Sequence, residues 1–112
     1  MELIRTFRNL TKHDVAIAGG KGASLGEMTQ AGIPVPPGYV ILSGAFERFI
    51  DETHLDAEID SILHKVNHED INTVEQASEK IQALILNAAM PKDIAIETEK
   101  YFKKLNSKYV AV

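Results

Sequence analysis

The chain has 112 residues, 45% apolar and 25% charged, with a net charge of −4; this is the length of one ordinary domain and a globular rather than disordered composition. The acidic balance argues against non-specific nucleic-acid binding, which needs a basic footprint. The lack of cysteine excludes disulfide scaffolds, thiolate zinc sites and thiol catalysis. Met1-Glu2-Leu3-Ile4-Arg5 is not a basic start leading into an apolar run, and no window approaches the 18 apolar residues of a membrane span. Cytoplasm is the expected compartment, and no nucleic-acid or membrane partner is expected.

Taken in chain order, Leu3 to Phe7 reads as a short strand and Asn9 to Asp14 as a turn or one helical turn. Lys21 to Gln30 reads as a helix with Leu25 and Met28 on its apolar side, stopped at Ala31-Gly32 with Gly32 as a left-handed C-cap. Pro34, Pro36 and Pro37 impose an extended connection. Gly38-Tyr39-Val40-Ile41-Leu42 is a continuous apolar run that suits a buried strand. From about residue 43 the pattern turns helical. Ser43 reads as the N-cap of a helix running to about Glu52, with Phe46, Phe49 and Ile50 on one side. Helical spacing then recurs in Leu55, Ile59, Ile62, Leu63 and Val66, in Val74, Ala77, Ile81, Leu84, Ile85 and Ala88, and in Ile94, Thr98, Tyr101, Phe102 and Leu105. Thr73 with Gln76 resembles a capping box, Pro91 suits a first helical turn, and Glu99 with Lys103 forms an i,i+4 pair worth about 0.2–0.5 kcal/mol. Lys108-Tyr109-Val110-Ala111-Val112 has the pattern of an apolar strand, ending where its pairing partners would be needed. The chain is therefore expected to be the front piece of something larger.

The segment Gly19-Gly20-Lys21-Gly22-Ala23-Ser24-Leu25-Gly26-Glu27-Met28 carries the chemistry. A helix N-terminus offers unpaired N–H groups and about half a positive charge, which suit a phosphate. Gly19 and Gly20 allow positive φ and close approach of a ligand to the backbone, and Lys21 adds a compact charge on a flexible stem. Gly22 and Gly26, four residues apart, give the helix a smooth side for packing. Neither the Walker A pattern nor Gly-x-Gly-x-x-Gly is present, since Leu25 stands where the last glycine of the second would be. From the residues alone two readings stand: a phosphate-presenting turn, or a plain glycine turn before a helix.

Gly19 to Met28, continued by Ala31-Gly32-Ile33-Pro34-Val35-Pro36-Pro37-Gly38-Tyr39-Val40, closely resembles the opening of the nucleotide-binding domain of the phosphoenolpyruvate synthases (pyruvate, water dikinases). Pyruvate phosphate dikinases and rifampin phosphotransferases share that opening. A weaker resemblance covers the whole chain, and Asn9 to Val15 and Tyr109 to Val112 look more like the synthases. The resemblance implies an α+β fold: the first subdomain, over residues 1–112 as a single domain, of an ATP-grasp-type nucleotide-binding domain. It implies that Lys21 contacts the ATP phosphates and that Gly19, Gly20 and Gly22 shape the turn. A second phosphate-binding arginine would follow Val112, and the acidic magnesium ligands would lie in the other subdomain. The family's phosphate-carrying histidine belongs to a separate swivelling domain, whose motif none of His13, His54, His64 or His68 matches. The implied intact enzyme is a homo-oligomer making phosphoenolpyruvate from pyruvate, ATP and water through a phosphohistidine, with this piece alone inactive. The same module in a dikinase or rifampin-type phosphotransferase, or a non-catalytic binding module, is the alternative.

Other groupings read as structural. His64 and His68 have i,i+4 spacing but no evident third ligand, and are taken as solvated. Glu47, Asp51 and Glu52, and likewise Glu97 and Glu99, lie on polar helix sides; Tyr101 and Phe102 are taken as core. No catalytic or metal-binding residue is assigned within the chain. The expected architecture is a small mixed sheet from residues near 3–7, 38–42 and 108–112, surrounded by helices.

Overall fold

The computed structural model describes residues 2–112. Strand β1 (Ile4–Thr6) pairs antiparallel with β2 (Tyr39–Ile41), in the register Ile4 with Ile41, Arg5 with Val40 and Thr6 with Tyr39. The ladder continues at both ends, with the Phe7 N–H donating to the Gly38 carbonyl at 3.1 Å and the Leu42 N–H to the Leu3 carbonyl at 2.8 Å. The helices are α1 (Val15–Gln30), α2 (Ser43–Glu52), α3 (Asp56–His64), α4 (Ile71–Asn87) and α5 (Lys92–Lys104). The α+β expectation holds in this form.

The mixed sheet does not. Among the described residues the sheet has two strands, both antiparallel, and residues 108–112 join neither. Tyr109 is 80% exposed there. An apolar run shows a readiness to pair, but a strand exists only where a neighbouring edge takes up its backbone groups. The 38–42 run is likewise not buried throughout: Leu42 is buried, while Ile41 is 48% exposed. Ile41 stands opposite the buried Ile4 on the same face, but a two-stranded ladder has no further strand to flank it, so its outer side stays in water.

The helix expected from Lys21 is present within one residue, resuming at Gly20 after a break at Gly19, but α1 also carries an unexpected helical turn over 15–18. The cause lies upstream, where Lys12–Asp14 forms a 3₁₀ turn closed by a capping box. The Thr11 hydroxyl accepts the His13 N–H at 3.2 Å, and the Asp14 carboxylate accepts the Thr11 N–H at 2.8 Å. Arg5 reaches Asp14 at 3.5 Å and pairs with Glu2 at 2.6 Å. The hydrogen bond from Arg5 holds the Glu2 carboxyl below its ordinary range. At the other end of α1, Gly32 adopts φ 80°, its N–H bonds to the Thr29 carbonyl at 3.2 Å, and the Ile33 N–H bonds to that of Met28 at 3.1 Å. This is a complete Schellman motif on the expected glycine.

The chain divides into two compact units, Met1–Glu47 with Pro91–Val112, and Arg48–Met90. In the first, Ile4, Leu10, Ala23, Leu42, Ala45 and Ile94 are buried. The Tyr39 hydroxyl donates to the Thr98 carbonyl at 3.2 Å, and its ring meets that of Tyr101 at 5.6 Å. Ala45 takes the buried position on α2, while Phe46 stays exposed. Phe102, expected in the core, is also exposed, whereas Tyr101 is half-buried. The Glu99–Lys103 pair forms at 3.0 Å.

In the second unit Leu55 and Ala77 are buried. The expected capping box at Thr73 is absent because α4 starts earlier. Asp70 is its N-cap and accepts the Asn72 N–H at 3.1 Å, which places Thr73 inside the first turn. There the Thr73 hydroxyl bonds to the Asp70 carbonyl at 2.7 Å instead.

Candidate functional site

Gly19 interrupts α1 from within. Its φ of 75° and ψ of 169° fall in a region open essentially to glycine alone. The chain makes one helical turn over 15–18, swings out at Gly19, and restarts as a helix at Gly20. A helix that restarts has first-turn N–H groups without intrahelical acceptors. The expected turn is thus present, but only Gly19 takes positive φ; Gly20 is already helical.

Alternating burial then gives this stretch two sides. Gly19, Gly20, Lys21 and Ser24 are exposed, whereas Gly22, Ala23 and Gly26 are buried. A Cβ on Gly22 would lie 2.9 Å from Val40 Cγ2, and one on Gly26 would lie 2.6 Å from the Leu10 carbonyl oxygen. The smooth side expected from the four-residue spacing is therefore the packing side, with β2 against one glycine and the segment before α1 against the other. Leu25 and Met28, expected to form the apolar side, are only half-buried.

The other glycines differ. A Cβ built on Gly19 or Gly20 meets nothing within 4 Å. Gly19 is required by its backbone angles. Gly20 has neither a steric nor a conformational reason to be glycine, and in a helix glycine costs about 1 kcal/mol relative to alanine. Beside it, the Lys21 side chain is exposed and pairs with no carboxylate among the described residues. Together these give an open backbone turn, first-turn N–H donors and an uncommitted ammonium.

The surroundings hold the turn firmly. The Lys12 N–H donates to the Glu27 carboxylate at 2.9 Å, and the Gln30 side chain donates to the Arg8 carbonyl. The Ser43 hydroxyl donates to the Ala16 carbonyl at 3.4 Å. Sequence reasoning gave Ser43 a place only as a helix cap. Its tie to α1 joins residues 27 apart and leaves no local signal. The sequence-derived site residues Gly19, Gly20, Lys21 and Gly22 remain contiguous, with Gly22 turned to the packing side.

The family described as pyruvate phosphate dikinase, AMP/ATP-binding domain, matches residues 15–112. The chain belongs to that family. Its curated relatives include a probable phosphoenolpyruvate synthase of Methanocaldococcus jannaschii, 44% identical over 105 residues, covering 94% of this chain and 9% of the relative. A phosphoenolpyruvate synthase of Aquifex aeolicus is 33% identical over 111 residues, covering 96% of this chain and 13% of the relative. One of Pyrococcus furiosus is 30% identical over 138 aligned positions, covering 95% of this chain and 17% of the relative. The chain thus spans between 9% and 17% of the length of these three. The family match begins at Val15, the first residue of α1, and takes in the whole glycine-rich stretch.

Proposed function

We propose that this chain supplies part of the ATP site of a phosphoenolpyruvate-forming phosphotransferase, with Lys21 and the backbone from Gly19 to Gly22 facing the nucleotide's phosphates. The observation that carries this is Gly20, a glycine that the fold does not need, set in open space beside a lysine that pairs with no carboxylate among the described residues. A glycine there lets an anion come within hydrogen-bond reach of the backbone, where a methyl group would stand in the way. Membership of an AMP/ATP-binding family supports ATP as the ligand, and the relatives' name, phosphoenolpyruvate synthase, supports phosphoenolpyruvate as the product of the intact protein; on this reading pyruvate, ATP and water are its reactants, and AMP and phosphate are released.

On this reading residues 1–112 are the first subdomain of an ATP-grasp-type domain in a cytoplasmic homo-oligomer. Lys21 neutralises and orients phosphate charge as a point cation, and the Gly19 turn aims N–H groups at the same oxygens. Among the described residues no three His, Asp or Glu side chains gather where they would hold a metal ion. On this reading the magnesium ligands lie in other parts of the protein. No helix among the described residues is long and apolar enough to cross a membrane.

An amide-resolved NMR titration of the 112-residue chain with ATP tests the reading. Half a site gives a weak complex, with Kd near the millimolar range, about −4 kcal/mol. Amides from Gly19 to Ala23 move first, and Lys21→Ala weakens binding at least fivefold while leaving the dispersion of the spectrum intact. Shifts confined to residues beyond Leu55, or an unchanged affinity in Lys21→Ala, would refute it.

A further inference from the structure

The break at Gly19 has a cost elsewhere in the chain. In an unbroken helix the Ala16 carbonyl would accept the N–H of the residue four positions on, which is Gly20. The Gly19 angles turn the backbone out of that ladder. The Ala16 carbonyl instead accepts the Ser43 hydroxyl at 3.4 Å, from the first residue of α2. Three residues earlier in the chain, Val40 of β2 packs where a Cβ of Gly22 would stand, 2.9 Å from it. The junction between β2 and α2 therefore touches the glycine turn on both sides of its break: Ser43 before Gly19, and Val40 after it.

We infer that Ser43 is a positioning residue for the phosphate turn, holding the carbonyl that the Gly19 break sets free and so fixing the direction in which the following N–H groups point. The inference rests on reading Gly19 to Gly22 as that turn. At 3.4 Å the bond is long for a hydroxyl donor, and Ser43 is exposed. Its loss therefore changes the aim of the turn more than the stability of the chain. A serine acting only as a helix cap would do the reverse, lowering the melting temperature and leaving affinity alone.

The test compares the 112-residue chain with its Ser43→Ala, Ser43→Thr and Lys21→Ala variants, by NMR titration with ATP, by the Ala16 carbonyl-carbon shift and by thermal melting. In Ser43→Ala the Ala16 carbonyl resonance and the Gly20 amide move. ATP affinity falls about three- to tenfold, the effect of one modest hydrogen bond, while the melting temperature stays within about 2 °C, less than one kcal/mol would shift it. Ser43→Thr, which keeps the hydroxyl, restores both. An unmoved Ala16 carbonyl, an affinity that ignores Ser43→Ala, or failure of threonine to rescue overturns the inference. If Lys21→Ala weakens ATP binding and Ser43→Ala does not, the positioning role falls alone. If Lys21→Ala has no effect, the phosphate reading falls and takes the positioning role with it.

Discussion

Gly19 and Gly20 look alike in the sequence, and physically they are opposites. Gly19 occupies φ 75° and ψ 169°, so any side chain there is strained by about 1–3 kcal/mol. Gly20 is helical with open space around it. Gly20→Ala therefore stabilises the chain, by up to about 1 kcal/mol, and, on the proposed reading that this side faces ATP, at the same time weakens ATP binding by placing a methyl group in the ligand's way. Chemical denaturation and an ATP titration of the one variant read both signs. A stabilised variant that binds ATP as well as the parent would show that Gly20 does not face the ligand. The two-glycine pattern was legible in the sequence, but the division of labour within it was not. That division depends on which residue swings out of the helix and which resumes it, and both options satisfy the same local preferences. The open lysine was visible only as a lysine, since freedom from a carboxylate partner is a property of the folded surface.

At the scale of elements, α1 is held by contacts that leave no room for a methyl group. A Cβ at Gly26 meets the Leu10 backbone, which gives little, whereas one at Gly22 meets the end of the Val40 side chain, which can rotate away. Overpacking of this kind costs about 1–3 kcal/mol and outweighs the helix-propensity gain of about 1 kcal/mol that alanine brings. Gly26→Ala thus lowers the melting temperature by several degrees, and Gly22→Ala by less; equal losses, or a rise at Gly26, would contradict this packing. The spacing of these two glycines, the C-cap at Gly32 and strand β1 were legible because each follows from a local rule. The apolar side of α1 was misjudged because its buried residues are Gly22, Ala23 and Gly26, which carry little hydrophobic signal, while Leu25 and Met28 are only half-buried. The helix from Lys21 is legible to within one residue, whereas the extra turn over 15–18 is not, because it follows from the box that Thr11 and Asp14 close upstream of the periodic region. Residues 108–112 failed as a strand for a different reason: pairing is a relation between two segments, and one segment's composition cannot supply the other.

For the whole molecule, the two units differ in how much they bury. Leu10 is fully enclosed and Ala23, Leu42, Ala45 and Ile94 nearly so in the first, while the second buries Leu55 and Ala77 and leaves Ile71 68% and Leu86 82% exposed. Fewer buried side chains mean a lower free energy of local opening. Native-state hydrogen exchange therefore finds the slowest amides between Gly22 and Gln30 and in the β1–β2 ladder, with faster exchange throughout α3 and α4. Slower exchange in α4 than in α1 would reverse that ranking. The helix that carries the glycine turn is thus also the most firmly seated, which suits the proposed role of a backbone presenting fixed donors. Its seating also bears on how the sequence can vary. Gly22 and Gly26 face Val40 and Leu10 only because a helix advances about 100° per residue, so a single added or deleted residue between them would swing one glycine away from its partner and bring a side chain into a space that cannot take it. Tolerance to a change of length is expected instead in the extended stretch after Gly32, where Pro34, Pro36 and Pro37 carry no helical register to lose, while the interval from the Gly19 turn to the end of α1 behaves as a ruler of fixed length.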